Sequence, residues 1–199
     1  MKSIESLLEN KEKILCVLPL YEKDLGNVTQ IITANGGEVL LPQSIESVLK
    51  SICSYYSLHL RLIRKKQQQL LNCRYYTPLP LSSSLLLFPI KTRTPKIKND
   101  SSIGYINYFA LKKMDYPQAA LHLENNRIVY SLNNGDTLKK RYNQAVICSK
   151  LYKETHGGEE YLQEEKTPYF YPVTQRDIEP ILRELAAIRG ILTGILSSL

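Results

Sequence analysis

The chain has no tryptophan, only four cysteines and only nine glycines in 199 residues. Cys16, Cys53, Cys73 and Cys148 form no C-x-x-C and no tight pair. A chain of this length can bury a core without staples, so they read as reduced, buried thiols of a cytoplasmic protein. His59, His122 and His156 do not meet them at zinc spacing, so neither metal nor cofactor is expected. The glycines build no G-x-x-x-x-G-K-[ST], no G-x-G-x-x-G and no G-x-S-x-G, which removes the familiar phosphate loops and the nucleophile elbow. The opening MKSIESLLENKEK has no apolar core and is not a signal peptide. No run of 18 apolar residues exists. Even Ile178 to Leu199 carries Arg183, Glu184 and Arg189, so no membrane contact is expected. What remains, 43% hydrophobic and 23% charged, is an ordinary globular composition with material for a core.

The most informative absence is local. Residues 47–99 contain no acid, although an even spread of the 19 acids would put about five there. The same window holds Lys50, Arg61, Arg64, Lys65, Lys66, Arg74, Lys91, Arg93, Lys96 and Lys98. Residues 1–46 carry 4 basic and 7 acidic side chains, and residues 100–199 carry 12 of each. Unpaired cations at this density repel one another, and a bound polyanion relieves that repulsion. The bland alternative is a solvated basic face whose partners are acids elsewhere, the surplus in residues 1–46 first among them.

Patterning predicts an α+β chain, mainly antiparallel strands with three or four helices. Ile14 to Leu18 reads as a strand stopped by Pro19. Val28 to Thr33 and Glu38 to Leu41 flank the turn Ala34-Asn35-Gly36-Gly37. Ser44 caps a helix of about 44–57 with Ile45, Val48, Leu49, Ile52 and Cys53 at helical spacing. Residues 61–70 read as a basic, partly mobile segment. Leu85 to Phe88, ended by Pro89, is a buried strand; residues 91–100 are an exposed loop; Ile103 to Leu111 is a strand. Ala120 to Leu123, Arg127 to Leu132 and Thr137-Leu138 read as a meander with a hairpin at Asn133-Asn134-Gly135-Asp136. Lys139 to Tyr152 reads as a helix with Tyr142, Ala145, Val146, Ser149 and Tyr152 on one stripe, stopped at Gly157-Gly158. Residues 159–168 are acidic, and Pro168 to Pro172 is an aromatic strip. Thr174 and Asp177 cap a final amphipathic helix whose apolar stripe, Ile178 to Leu199, fits a core face, a dimer face or a membrane-surface face.

Catalytic constellations are weak. Cys148 and His156 are eight residues apart, about 12 Å along a helix, too far for a thiol–imidazole bond. The carboxylate pairs Glu159-Glu160 and Glu164-Glu165 lie in a polar stretch suited to solvated acids. No enzyme is expected and no catalytic residue is nominated. Tyr55, Tyr56, Tyr75, Tyr76, Tyr105 and Tyr108 interleave with the basic window; tyrosines stack bases or bond phosphates, and also fill half-buried strands.

The order of motifs from Ile14 to Leu185 resembles the ComK family of competence transcription factors. Ile14-Leu-Cys-Val-Leu-Pro19 is similar to its opening strand, and Ser51-Ile-Cys53-Ser-Tyr55-Tyr56 with Arg61, Arg64 and Lys65 to its Cys-aromatic segment with trailing basic residues. Pro78-Leu79, Leu86 to Pro89, Tyr105-Ile106-Asn107, Asn134 to Leu138, Phe170-Tyr171-Pro172 and Ile181 to Leu185 follow the same order. Ser57 stands where the family has a glycine, and Tyr105 where it has a tryptophan. The resemblance implies a transcription activator that binds A/T-rich double-stranded DNA boxes through the minor groove, as a homo-dimer or higher oligomer. It also implies proteolytic control, with Tyr169, Phe170, Tyr171 and Pro172 docking a MecA-like adaptor that serves the ClpC–ClpP protease. A narrow A/T-rich groove draws inserted Arg and Lys. The candidate DNA-binding residues are Arg61, Arg64, Lys65, Lys66, Arg74, Lys91, Arg93, Lys96 and Lys98. The expected organisation is a DNA-binding α+β core over residues 1–156, then an acidic linker, docking strip and helix over residues 157–199. The competing expectation is a module for RNA or another acidic partner.

Overall fold

A computed structural model of the chain describes residues 4–10 and 12–156. A short helix α1 (Ile4–Glu9) precedes the strands β1 (Ile14–Glu22), β2 (Gly26–Thr33) and β3 (Glu38–Leu41). Two helices follow, α2 (Ile45–Tyr55) and α3 (Leu60–Leu70), then β4 (Leu79–Ser82), β5 (Leu85–Lys91) and β6 (Ile103–Asn107). A 3-10 turn (Tyr108–Ala110) leads to β7 (Leu111–Asp115), β8 (Ala120–Leu123) and β9 (Ile128–Tyr130), and α4 (Gly135–His156) is the last described element. The expected α+β class with antiparallel strands holds. Six strands form one sheet in the order β3-β2-β1-β6-β5-β4, and β7-β8-β9 form a second.

The large sheet is buried on both faces, which is why its strands read as continuous apolar runs rather than alternating ones. Val17, Ile31, Leu85, Leu87 and Tyr105 face one way, into a core shared with α1, α2 and Leu60 of α3. Ile32, Leu86, Phe88, Ile90 and Ile106 face the other way, against the second sheet and α4. A bulge between Ile14 and Cys16 lets Leu15 and Cys16 fall on the same side. Among the described residues the molecule therefore has three layers, helices, sheet, then small sheet with α4.

Both strand-ending prolines prove to lie inside strands. Pro19 pairs with Thr29 and Pro89 with Tyr105. On its other side β1 pairs β6 only at Cys16 and Val17, and β5 meets β4 only up to Leu87. Each proline thus lies past the end of one neighbouring strand, where a missing N–H costs no ladder bond.

Two further expectations fail for local reasons. The strand foreseen from Ile103 to Leu111 is broken after Asn107, whose Oδ1 accepts from the Phe109 N–H at 3.2 Å and starts the 3-10 turn. The hairpin foreseen at Asn133–Asp136 is instead the start of α4, so Thr137 and Leu138 are helical. Asn134 Oδ1 accepts from the Thr137 N–H at 3.0 Å, and its carbonyl accepts from Leu138 at 3.0 Å. Asn-Gly serves a helix start as readily as a tight turn, because asparagine is among the best N-caps. Ala145, Cys148 and Ser149 are buried on the inner face of α4, and Tyr142 packs edge-on to Phe88 at 6.5 Å.

Gly157-Gly158, the acidic stretch 159–168, the strip Tyr169-Phe170-Tyr171-Pro172 and the helix expected over Ile178 to Leu199 lie outside the described residues.

Candidate functional site

The basic window begins in α2 and is folded rather than loose. Ser44 caps α2 as expected, its Oγ accepting from the Ser47 N–H at 3.3 Å. The helix ends at Tyr55, and just beyond its cap Ser57 takes the left-handed conformation, φ 55°. That residue turns the chain so that residues 61–70, expected as a partly mobile segment, form the separate helix α3. Leu60 and Gln67 are buried and Ile63 packs on the core, a three-to-four spacing too sparse in apolar residues to stand out in the sequence. Gln67 is buried because its Oε1 accepts from the Cys148 thiol at 2.9 Å, tying α3 to α4.

The four cations of α3 separate into two roles. Arg64 turns inward. It makes a two-point pair with Glu46 at 2.7 and 2.9 Å and donates to the Tyr105 hydroxyl at 3.3 Å. Burial opposes its charge, but these bonds more than compensate and hold its pKa above the usual arginine value. Tyr105 is buried, which pushes its phenol pKa up, with Arg64 pulling partly the other way. Arg64 therefore fastens α3 to α2 and β6, and of the DNA-binding candidates it is the one paired with a carboxylate among the described residues. Arg61, Lys65 and Lys66 lie on the outer face, exposed to solvent, beside a 64% exposed Leu62.

Beyond α3, the Gln68 side-chain amide donates to the Arg74 carbonyl at 2.7 Å and holds the next loop against the helix. Arg74 is exposed and sits over the Tyr75 ring at 5.2 Å. Tyr75 and Tyr76 are 59% and 49% exposed, and Tyr76 has φ 60°. Arg141 reaches them from α4. Its Nη1 donates to the Tyr76 carbonyl at 3.1 Å and to Gln144 at 3.2 Å, and its guanidinium lies 5.1 Å from the Tyr76 ring centre. No feature of the sequence singled out Arg141, since the contact joins residues 65 positions apart.

The second basic segment, between β5 and β6, is organised by a residue just outside the acid-free window. Asp100 accepts from the Tyr21 hydroxyl at 2.6 Å and from the Asn27 amide at 2.9 Å. Arg93 lies over the Tyr21 ring at 4.1 Å and donates to Ser101 and Asn27 at 2.8 and 2.7 Å. Lys96 donates its backbone N–H to the Tyr21 hydroxyl and holds its ammonium 5.1 Å from the same ring. The loop is thus moored on the β1–β2 hairpin, with Lys96 and Lys98 exposed. Lys91 stands apart, half-buried at the end of β5, where its backbone bonds Leu132 and Asn133.

Two clefts join these parts. One of about 270 Å³ has Arg64, Gln68, Tyr75 and Tyr76 on one side and Ser101 and Ile103 on the other, so α3 and the end of the 92–102 loop share it. A smaller one of about 160 Å³ lies between Tyr76, Lys91, Asn133 and Arg141.

Of the acids of the first segment, only Glu46 neutralises a window cation among the described residues, and that cation is Arg64. Glu38 pairs with Arg127, and Lys13 pairs with Glu124 at 2.5 Å, both linking the two sheets. Of the ten window cations only Arg64 has a carboxylate partner among the described residues. The bland explanation of the window therefore accounts for one cation.

The thiols offer little chemistry. Burial pushes Cys16 and Cys148 up to about 12 and Cys53 to about 11, so all three are protonated at neutral pH. All four cysteines are free; Cys73 is only half-buried, contrary to the expectation. No cluster of metal-ligating side chains occurs among the described residues, and none of their helices is long and apolar enough to cross a membrane.

No family model matches the chain, and no similar protein was found among curated proteins or solved structures.

Proposed function

We propose that this chain is a ComK-like transcription regulator that binds A/T-rich double-stranded DNA, with the outer face of α3 and the 92–102 loop as its contact surface. The observation that carries this reading is the set of window cations left without carboxylate partners among the described residues. Arg61, Lys65, Lys66, Lys96 and Lys98 stand exposed where a polyanion can reach them. An unneutralised surface of this kind repels itself in the free protein and gains by counterion release on DNA. A second support is Ser57. The position that is glycine in the family it resembles is left-handed here, as a glycine-favouring position should be. Recruitment of a MecA-like adaptor and ClpC–ClpP rests on the resemblance alone; a cytoplasmic location rests also on the cysteine pattern, and dimerisation also on the apolar stripe of Ile178 to Leu199.

The test is fluorescence anisotropy with a duplex carrying two A/T-rich boxes and a G/C-rich duplex of equal length, over a salt titration. The expected result is tighter A/T binding and a slope of log K on log[salt] near −5, for about six phosphate contacts. Changing Arg61, Lys65 and Lys66 together to Gln should make the slope shallower by about 3. Arg64→Gln should leave the slope unchanged and cost about 1 kcal/mol of stability, as expected for a half-exposed ion pair. Equal binding to both duplexes would leave a basic surface for RNA or another acidic partner, and no binding at low salt would overturn the reading.

A further inference from the structure

The two exposed tyrosines next to α3 are held, not trailing. A non-glycine residue at φ 60° is strained, and here the strain is at Tyr76, whose ring is half exposed. Arg141 secures the turn by bonding the Tyr76 carbonyl while lying over the Tyr76 ring. This arginine has no carboxylate partner among the described residues, although burial lowers its pKa and works against its charge. A partly desolvated cation without a counter-ion beside a fixed aromatic face is suited to a ligand carrying both an anion and a flat ring. The two clefts have the matching division. Tyr76 is a wall of both. On one side the larger cleft offers the Tyr75 ring, the Gln68 amide and Thr77, and on the other the smaller offers Arg141 and Lys91.

We propose that Tyr76 and Arg141 form a subsite for a single unstacked nucleotide, its base in the larger cleft against Tyr76 and its phosphate between Arg141 and Lys91. This deepens the DNA-binding reading and rests on it. Base–aromatic stacking tolerates any base, so the subsite selects flexibility rather than sequence. Pyrimidine–purine steps such as TA unstack most easily, which gives an A/T-rich duplex an advantage that no base-edge contact has to supply.

The experiment compares a paired A/T-rich duplex with the same duplex carrying one unpaired 2-aminopurine in its centre, read by anisotropy and by 2-aminopurine fluorescence. The protein should bind the bulged duplex about tenfold more tightly, with quenching of the probe on binding. Tyr76→Leu should abolish the preference and the quenching, and should lower affinity for the paired A/T-rich duplex as well. Tyr76→Phe, which keeps the ring, should retain both. Thermal unfolding of each variant shows whether the turn has survived, and Tyr76→Gly, which relieves the strained φ, supplies a folded ring-less variant if Tyr76→Leu does not fold. Equal binding of the two duplexes by the unaltered protein, or quenching that survives loss of the ring, overturns the subsite and leaves the α3 reading intact. Failure to bind either duplex overturns both.

Discussion

Asn107 is the residue on which removal of a few atoms should cost most. It is fully buried, at the end of β6. Its amide nitrogen donates to the Ile14 carbonyl at 2.8 Å and the Ser84 carbonyl at 3.1 Å. Its oxygen accepts from Leu86 at 3.3 Å and from Phe109 at 3.2 Å. One side chain therefore ties the start of β1, the β4–β5 turn and the 3-10 turn. Asn107→Ala removes four hydrogen bonds at about 1 kcal/mol each, so a loss of about 4 kcal/mol is expected. For a chain of this size that corresponds to roughly 8–16 °C in Tm. With no tryptophan present, urea unfolding should be followed by far-ultraviolet circular dichroism. Asn107→Asp keeps the shape but adds a buried carboxyl, whose pKa must rise. Its stability should be highest in acid and fall as pH rises from the unfolded carboxyl's value toward the raised folded one. A loss under about 1 kcal/mol for Asn107→Ala, with an unchanged m-value, would refute the reasoning, because it would mean that the freed backbone groups find other partners at no cost.

Three other outcomes follow from the same structure. Ser57→Gly should stabilise the protein by about 0.5–1 kcal/mol, since glycine takes φ 55° without strain; equal or lower stability in urea would contradict this. Because burial pushes the Cys16 and Cys148 thiols to about 12, unfolded thiols ionise before folded ones, so stability should fall as pH rises above about 9. Half-buried Cys73 should react with a thiol reagent well before Cys16, Cys53 or Cys148, and simultaneous labelling of all four would count against the packing.

Most strands, the helix capped by Ser44 and the long helix α4 could be read from local pattern. Pro19 and Pro89 misled because a proline's cost in a strand depends on whether a neighbouring strand needs its N–H, and that is a property of the sheet. Asn133–Asp136 misled because asparagine's side chain suits a turn and a helix cap equally, and only burial of Leu138, Ala145 and Cys148 against the sheet decides between them.

The sequence by itself determined the class of fold, the basic window and its lack of acids, because periodicity and charge balance are properties of the chain in order. Only the tertiary structure decided which of those cations are spent inside. Arg64 lies in the same run as Lys65 and Lys66, yet it alone of the ten faces a described carboxylate, Glu46, brought to it by the turn at Ser57. Likewise Arg141 joins Tyr76 only because α4 packs across the sheet from a distant part of the chain. Charge can be counted along a chain, but its neutralisation depends on distances that folding sets.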